Sequence, residues 1–237
     1  MRVVGAIEPS LRKAEIERVK RQRPSSLNAY DFVLRSLPYI TAKPKDAEAA
    51  IPLLRNALQL EPNYGLAHAF LSFSFHVLTY RLRERGRAEA IEHAHKAIAF
   101  GNDDPTALAT AAFVIAFQEH DLATAFRLFD RALEISNSNV IALRWSSIIL
   151  AWAGRAELAI DRAQQALRLS PFDSLNFSAY TGLSIAYFHL GRYRDAADAA
   201  RSALETIPAL VCILRCLPAR CCEMATWKSQ KRLPNAY

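Results

Sequence analysis

The sequence predicts an all-α chain in which about five helix-turn-helix units stack into an α–α superhelix. Three observations lead there. Between residues 177 and 208, Tyr180, Leu183, Ser184 and Tyr187 recur at i, i+3, i+4 and i+7, one face of a helix. Gly191-Arg192 breaks that pattern, and Ala196, Ala200 and Ala203 then mark the inner face of a second helix before Pro208. The same order of residue types recurs upstream at a nearly constant spacing. Only 7 glycines occur in 237 residues, 51% of the chain is hydrophobic, and strand-like alternation is scarce, which leaves little for a sheet.

Residues 1–27 read as a basic linker helix that ends near Pro24. Pro9 suits a first helical turn, and Leu11, Ala14 and Val19 form a thin apolar stripe. The stacked units are expected over 28–208. In the first, Leu34 and Leu37 belong to one helix and Ala50, Leu54 and Ala57 to the next, with Pro62 beyond it. Pro38 and Pro44 should shorten or kink the first helix, because proline lacks the N–H and clashes with the preceding turn. The second unit begins near Gly65, with Leu71, Ser72 and Phe75 on its first helix and Ala90, Ala94 and Ala97 on its second. About six extra residues fall in 80–86, either lengthening the helix or forming a basic turn.

The third unit is expected from Thr106, with Ala125, Phe129 and Ala132 on its second helix. On that register Phe113 replaces a small residue, so the two helices should splay. The fourth runs from Val140 through Leu143, Ser146, Ser147 and Leu150, turns at Gly154, and continues with Ala159, Ala163, Ala166 and Pro171. Small side chains are needed where helix backbones approach, and a turn glycine permits a left-handed backbone. No pair buries its apolar face alone, so stability must come from stacking. Residues 209–237 fit no unit: they read as an irregular tail or an incomplete capping helix. Leu210, Ile213 and Leu214 make no polar cap, so the expectation is an end truncated or read out of frame.

Charge and motifs narrow the function. The net charge of +7 sits at the ends: residues 1–24 hold seven Lys/Arg against three Glu, and 209–237 five against one. The near-neutral body lacks the basic stripe of a nucleic-acid-binding domain. The apolar run 107–117 is too short to span a bilayer, and no secretory leader is evident, so a cytoplasmic protein is expected. Cys212, Cys216, Cys221 and Cys222 do not have the paired spacing of zinc hairpins, and the six histidines form no His-Glu-x-x-His. No phosphate-binding glycine loop, paired carboxylates or nucleophile elbow appears. We therefore expect no catalytic residues, no metal, no cofactor and no small-molecule substrate.

The aromatic–Leu–small–Tyr–Gly–Ala–Ala–Pro order, at about 34 residues per unit, resembles the tetratricopeptide repeat (TPR) family. The resemblance implies that the first helix of each pair lines a concave groove. Carried onto this chain, the groove residues are Phe73, His76 and Val77 in the second unit and Thr110, Val114, Phe117 and Gln118 in the third. The fourth contributes Arg144, Ile148 and Trp152, and the fifth Thr181, Ile185, Phe188 and His189. This strip is largely apolar. Either a tight superhelix or a neighbouring segment buries it, or an amphipathic helix or extended peptide docks there. In the second case Trp152, Phe117 and Phe188 would be anchors and Arg144 a charged contact. The Lys and Asn of the family's chaperone-tail clamps are absent, so that ligand is not implied.

Residues 4–18, with Glu8-Pro9-Ser10-Leu11-Arg12, followed by Ser26-Leu27-Asn28-Ala29-Tyr30-Asp31 and a Leu-Arg-Ser-Leu-Pro helix, carry a second resemblance. They are similar to the repeat-bearing C-terminal half of bacterial, rhizobial-type class III adenylate/guanylate cyclases, over residues 3–208. That family's catalytic domain precedes this linker, so cyclase activity is not expected from this polypeptide. The implied role is a non-catalytic protein-interaction module, the regulatory or scaffold part of a cyclase-type signalling protein. The alternatives are an accessory subunit acting in trans on a separate cyclase, or a transcription or nucleic-acid accessory protein.

Overall fold

The computed structural model describes residues 28–82, 86–173 and 175–206. These form ten α-helices: α1 (Ala29–Ser36), α2 (Pro44–Leu60), α3 (Gly65–Leu82), α4 (Arg87–Phe100), α5 (Pro105–Gln118), α6 (Leu122–Ile135), α7 (Val140–Trp152), α8 (Ala156–Leu169), α9 (Phe177–His189) and α10 (Tyr193–Thr206). No strand occurs among the described residues. The expected linker helix of 1–27, the tail of 209–237 and all four cysteines lie outside them.

Consecutive helices pack as five hairpins, α1/α2 to α9/α10. The odd-numbered helices α3, α5, α7 and α9 also pack side by side, and each even-numbered helix from α2 to α8 touches the first helix of the following pair. That is an α–α superhelix of the tetratricopeptide type, as the periodicity predicts. The two layers differ in what they bury. Even-numbered helices are one-sided: Ala90, Ala94 and Ala97 on α4, or Ala159, Ala163 and Ala166 on α8, are fully buried alanine columns. The odd-numbered helices from α3 to α7 are enclosed, and α5 buries eleven of its fourteen residues. A helix covered on all sides is apolar all round, and its sequence shows no polar face.

The helix ends follow local chemistry. Asn28 caps α1 through a reciprocal box: its Oδ1 accepts from Asp31 N at 2.9 Å, and its own N–H donates to Asp31 Oδ2 at 3.1 Å. Asp104 caps α5 and Asn139 caps α7. Asn139 Nδ2 also donates to Thr106 Oγ1 at 3.0 Å, tying neighbouring odd-numbered helices together at their starts. As Pro38 and Pro44 imply, α1 stops at Ser36, a 3₁₀ turn (Leu37–Tyr39) follows, and Pro44 opens α2. Gly154 and Gly191 take the left-handed turn conformation with φ of 77° and 72°. In the third unit the same conformation falls on His120, φ 59°.

One register is corrected. α5 starts at Pro105, not Thr106, and is one residue longer than α7 and α9. Counted from the helix starts, the small position held by Ser72 in α3 and Ser147 in α7 belongs to Ala112 in α5. Ala112 is fully buried. The cause for the expected splay at Phe113 is gone, and Phe113 turns to the inner layer. The second unit's extra length goes partly into α3, which runs eighteen residues.

Two glycines are required by close approach. A Cβ on Gly65 would lie 2.5 Å from the backbone of Gly101, in the loop that follows α4. A Cβ on Gly182 of α9 would collide with Ser147 Oγ and lie 3.1 Å from Ser147 Cβ on α7.

Candidate interaction surface

The strip expected to line the groove is mostly closed. Phe73, His76, Val77, Thr110, Val114, Gln118, Arg144, Ile148, Thr181 and Ile185 are buried. Phe117 and Trp152 are half-buried, and Phe188 and His189 are exposed. The exposure that survives is at the last turns of α5, α7 and α9, where the three aromatic anchors sit.

Aromatic packing explains the closure. Phe73 of α3 stacks on Trp145 of α7 with centroids 5.0 Å apart, and Phe113 of α5 stacks on the same indole at 4.9 Å. Phe113 and Phe117 lie 4.7 Å apart, and His76 meets Phe117 edge-on at 5.1 Å. Phe117 meets Trp152 edge-on at 4.5 Å. Six rings from three consecutive odd-numbered helices thus form one cluster. Offset and edge-to-face pairs add roughly 0.5–1.5 kcal/mol each beyond the area they bury.

Two of these rings, Phe113 and Trp145, were not among the residues expected from sequence. Phe113 lies at i−4 from Phe117, and Trp145 at i−7 from Trp152. Both spacings share a helical face with an expected residue, and that signal was available. In the third unit the register shift explains the omission: Thr110 and Val114 stand one position past the inner-layer positions counted from Pro105.

The buried polar groups are committed inside the molecule. Gln118 Nε2 donates to His76 Nδ1 at 2.9 Å, while the Gln118 carbonyl accepts from the Arg87 guanidinium. Thr110 and Thr181 hydroxyls each donate to the carbonyl four residues back at 2.7 Å. Arg144 does not stand at the surface as a charged contact. Its side chain is 2% exposed and its Nη1 donates to Asp173 Oδ2 at 2.9 Å, bracing α7 against the loop before α9.

The open end has a different character. Phe188 is 63% exposed and Tyr193, across the turn on α10, is 65% exposed; their rings meet edge-on at 5.6 Å. Leu190 lies exposed between them. Arg192 covers the Tyr187 ring at 4.4 Å and donates to Asp195 Oδ2 at 2.7 Å. Among the described residues no group of three or more His, Cys, Asp or Glu is placed to hold a metal ion. No described helix is long and apolar enough to cross a membrane.

No family model matches the sequence, and no curated protein matches it. Several solved structures share the fold. A chain of the APC/C hetero-tetramer Cut9–Hcn1 is similar at 15% identity and a TM-score of 0.61, over 84% of this chain. The human IFIT1 dimer with m7Gppp-AAAA is similar at 16% identity and 0.62, over 79% of this chain. TTC0263, a thermophilic TPR protein of Thermus thermophilus, is similar at 19% identity and 0.52, over 77% of this chain. This chain spans 37% of the Cut9–Hcn1 chain, 44% of IFIT1 and 92% of TTC0263. At these identities the likeness is one of fold.

Proposed function

We propose that the chain is a non-catalytic protein-interaction module that takes an apolar helix or an extended segment along the last turns of α5, α7 and α9. The observation that supports it is the exposure left at Phe117, Trp152, Phe188 and His189 after the rest of the strip has closed. These three helices stack side by side, so their ends form one edge. Aromatic side chains offer large contact area at low entropic cost and dominate hot spots at such edges. The preformed scaffold needs little backbone movement to bind.

The regulatory or scaffold part of a cyclase-type signalling protein is the setting we propose, on the resemblance of residues 4–18 and 26–38. Action in trans on a separately encoded cyclase is the variant of that setting. A nucleic-acid role would draw on the basic ends, and its affinity would fall steeply with salt.

Selection of a random peptide library on the immobilised chain tests the groove. Selected peptides should be rich in apolar and aromatic residues, and Phe188→Ala should weaken them about tenfold. Phe117→Ala with Trp152→Ala should weaken them further. Undiminished binding by both variants, each with wild-type helicity, would overturn the proposal.

A further inference from the structure

We infer that His68 and His93 form a proton-operated latch between α3 and α4, through which acid loosens the second repeat ahead of the others. The two rings stack with centroids 5.0 Å apart, and their Nδ1 atoms lie 2.8 Å apart. His68 Nε2 lies 2.9 Å from the Pro62 carbonyl, which can only accept, so this nitrogen carries a proton. The neutral His68 ring must then accept at Nδ1, and His93 donates its Nδ1–H. That assignment follows from the hydrogen-bond network. One added proton can still be housed, on His93 Nε2 or by reversing the Nδ1–Nδ1 bond. Two place N–H against N–H across the same short gap, and the bond is lost.

The surroundings oppose the added charge. His68 is 4% exposed and packs on Phe100 at 5.8 Å, and Phe75 lies parallel to His93 at 6.0 Å. The charges acting on the pair are Arg55 from α2 and Glu92 and Lys96 from α4. Arg55 sits over the Phe75 ring, and Arg55 and Lys96 both disfavour a second cation. Glu92 favours one, but it is bound to Lys96 at 2.5 Å. Burial, then the neighbouring His68, hold the His93 imidazole down to about 4, and burial also lowers His68. The unfolded chain, titrating near 6.5, binds more protons between those limits. The latch is therefore intact above about pH 6.5, and its contribution is lost as pH falls toward 4.

The feature belongs to one repeat. Counted from the helix starts, Leu108, Leu143 and Tyr180 take the place of His68 in later repeats. Leu128, Arg162 and Ala199 take the place of His93, counted from Ala90, Ala125, Ala159 and Ala196. No other hairpin of these four carries the pair.

Hydrogen exchange of the full chain at about pH 7 and about pH 5, corrected for intrinsic rates, tests this. Amides of α3 and α4 should lose protection roughly tenfold or more relative to those of α7 and α8. His93→Asn keeps a donor for His68 Nδ1 but does not titrate, and should remove most of that difference. Equal acid loss in wild type and variant, or uniform loosening of all repeats, overturns the inference. An NMR titration of the wild-type imidazoles gives a second readout. A depressed His93 midpoint supports the latch, and an ordinary one overturns it.

Discussion

The inner layer from α3 to α7 and the turn between α9 and α10 carry similar residues to opposite ends. In the first, Phe73, Phe113 and Trp145 are buried against one another. In the second, Phe188 and Tyr193 touch each other and stand mostly exposed. Phe113 is core because rings from both flanking odd-numbered helices, Phe73 of α3 and Trp145 of α7, pack against it. At α9, Phe188 meets the Tyr193 ring of its own hairpin, while Trp152 of α7 is engaged with Phe117. Aromatic content therefore does not mark a binding strip in this fold; position along the stack does.

Substitutions can break or sharpen that contrast. The largest effect should come from Trp145→Ala, which removes the indole shared by two stacks. A loss of about 3–5 kcal/mol is expected, seen as a drop of about 10 °C in thermal unfolding. A silent substitution would mean the cluster does not hold the inner layer. Gly182→Ala should cost about 1–3 kcal/mol, because the new methyl meets Ser147 where α7 and α9 approach. Denaturant midpoints with Ser147→Gly added should recover part of that loss if the contact is the cause. Phe188→Ala should change stability by no more than about 0.5 kcal/mol, while it weakens peptide capture. A large loss of stability there would show that the open end is core after all.

Half of this layout was legible in the residues. The even-numbered helices announce themselves, because alanines such as Ala159, Ala163 and Ala166 recur on one face with charges on the other. The turns at Gly154 and Gly191 and the shortened helix before Pro44 were equally readable. The odd-numbered helices were harder for a physical reason. α5 is apolar on every side, so its pattern has no phase, and the one-residue error that misplaced Phe113 had nothing to contradict it. Trp145 and the His68–His93 pair were illegible for a different reason. Spacing along one helix says which residues share a face, but not which neighbour that face meets or at what height. Arg144 shows the same limit: its partner Asp173 lies 29 residues on, in a loop.

The contact between Gly65 and Gly101 has a mechanical consequence. Two backbones that touch with no side chain between them have no compressible layer. Any opening of the α3/α4 hairpin must swing about that seam, as pages swing about a book's spine, and the displacement must grow toward the opposite end of the two helices.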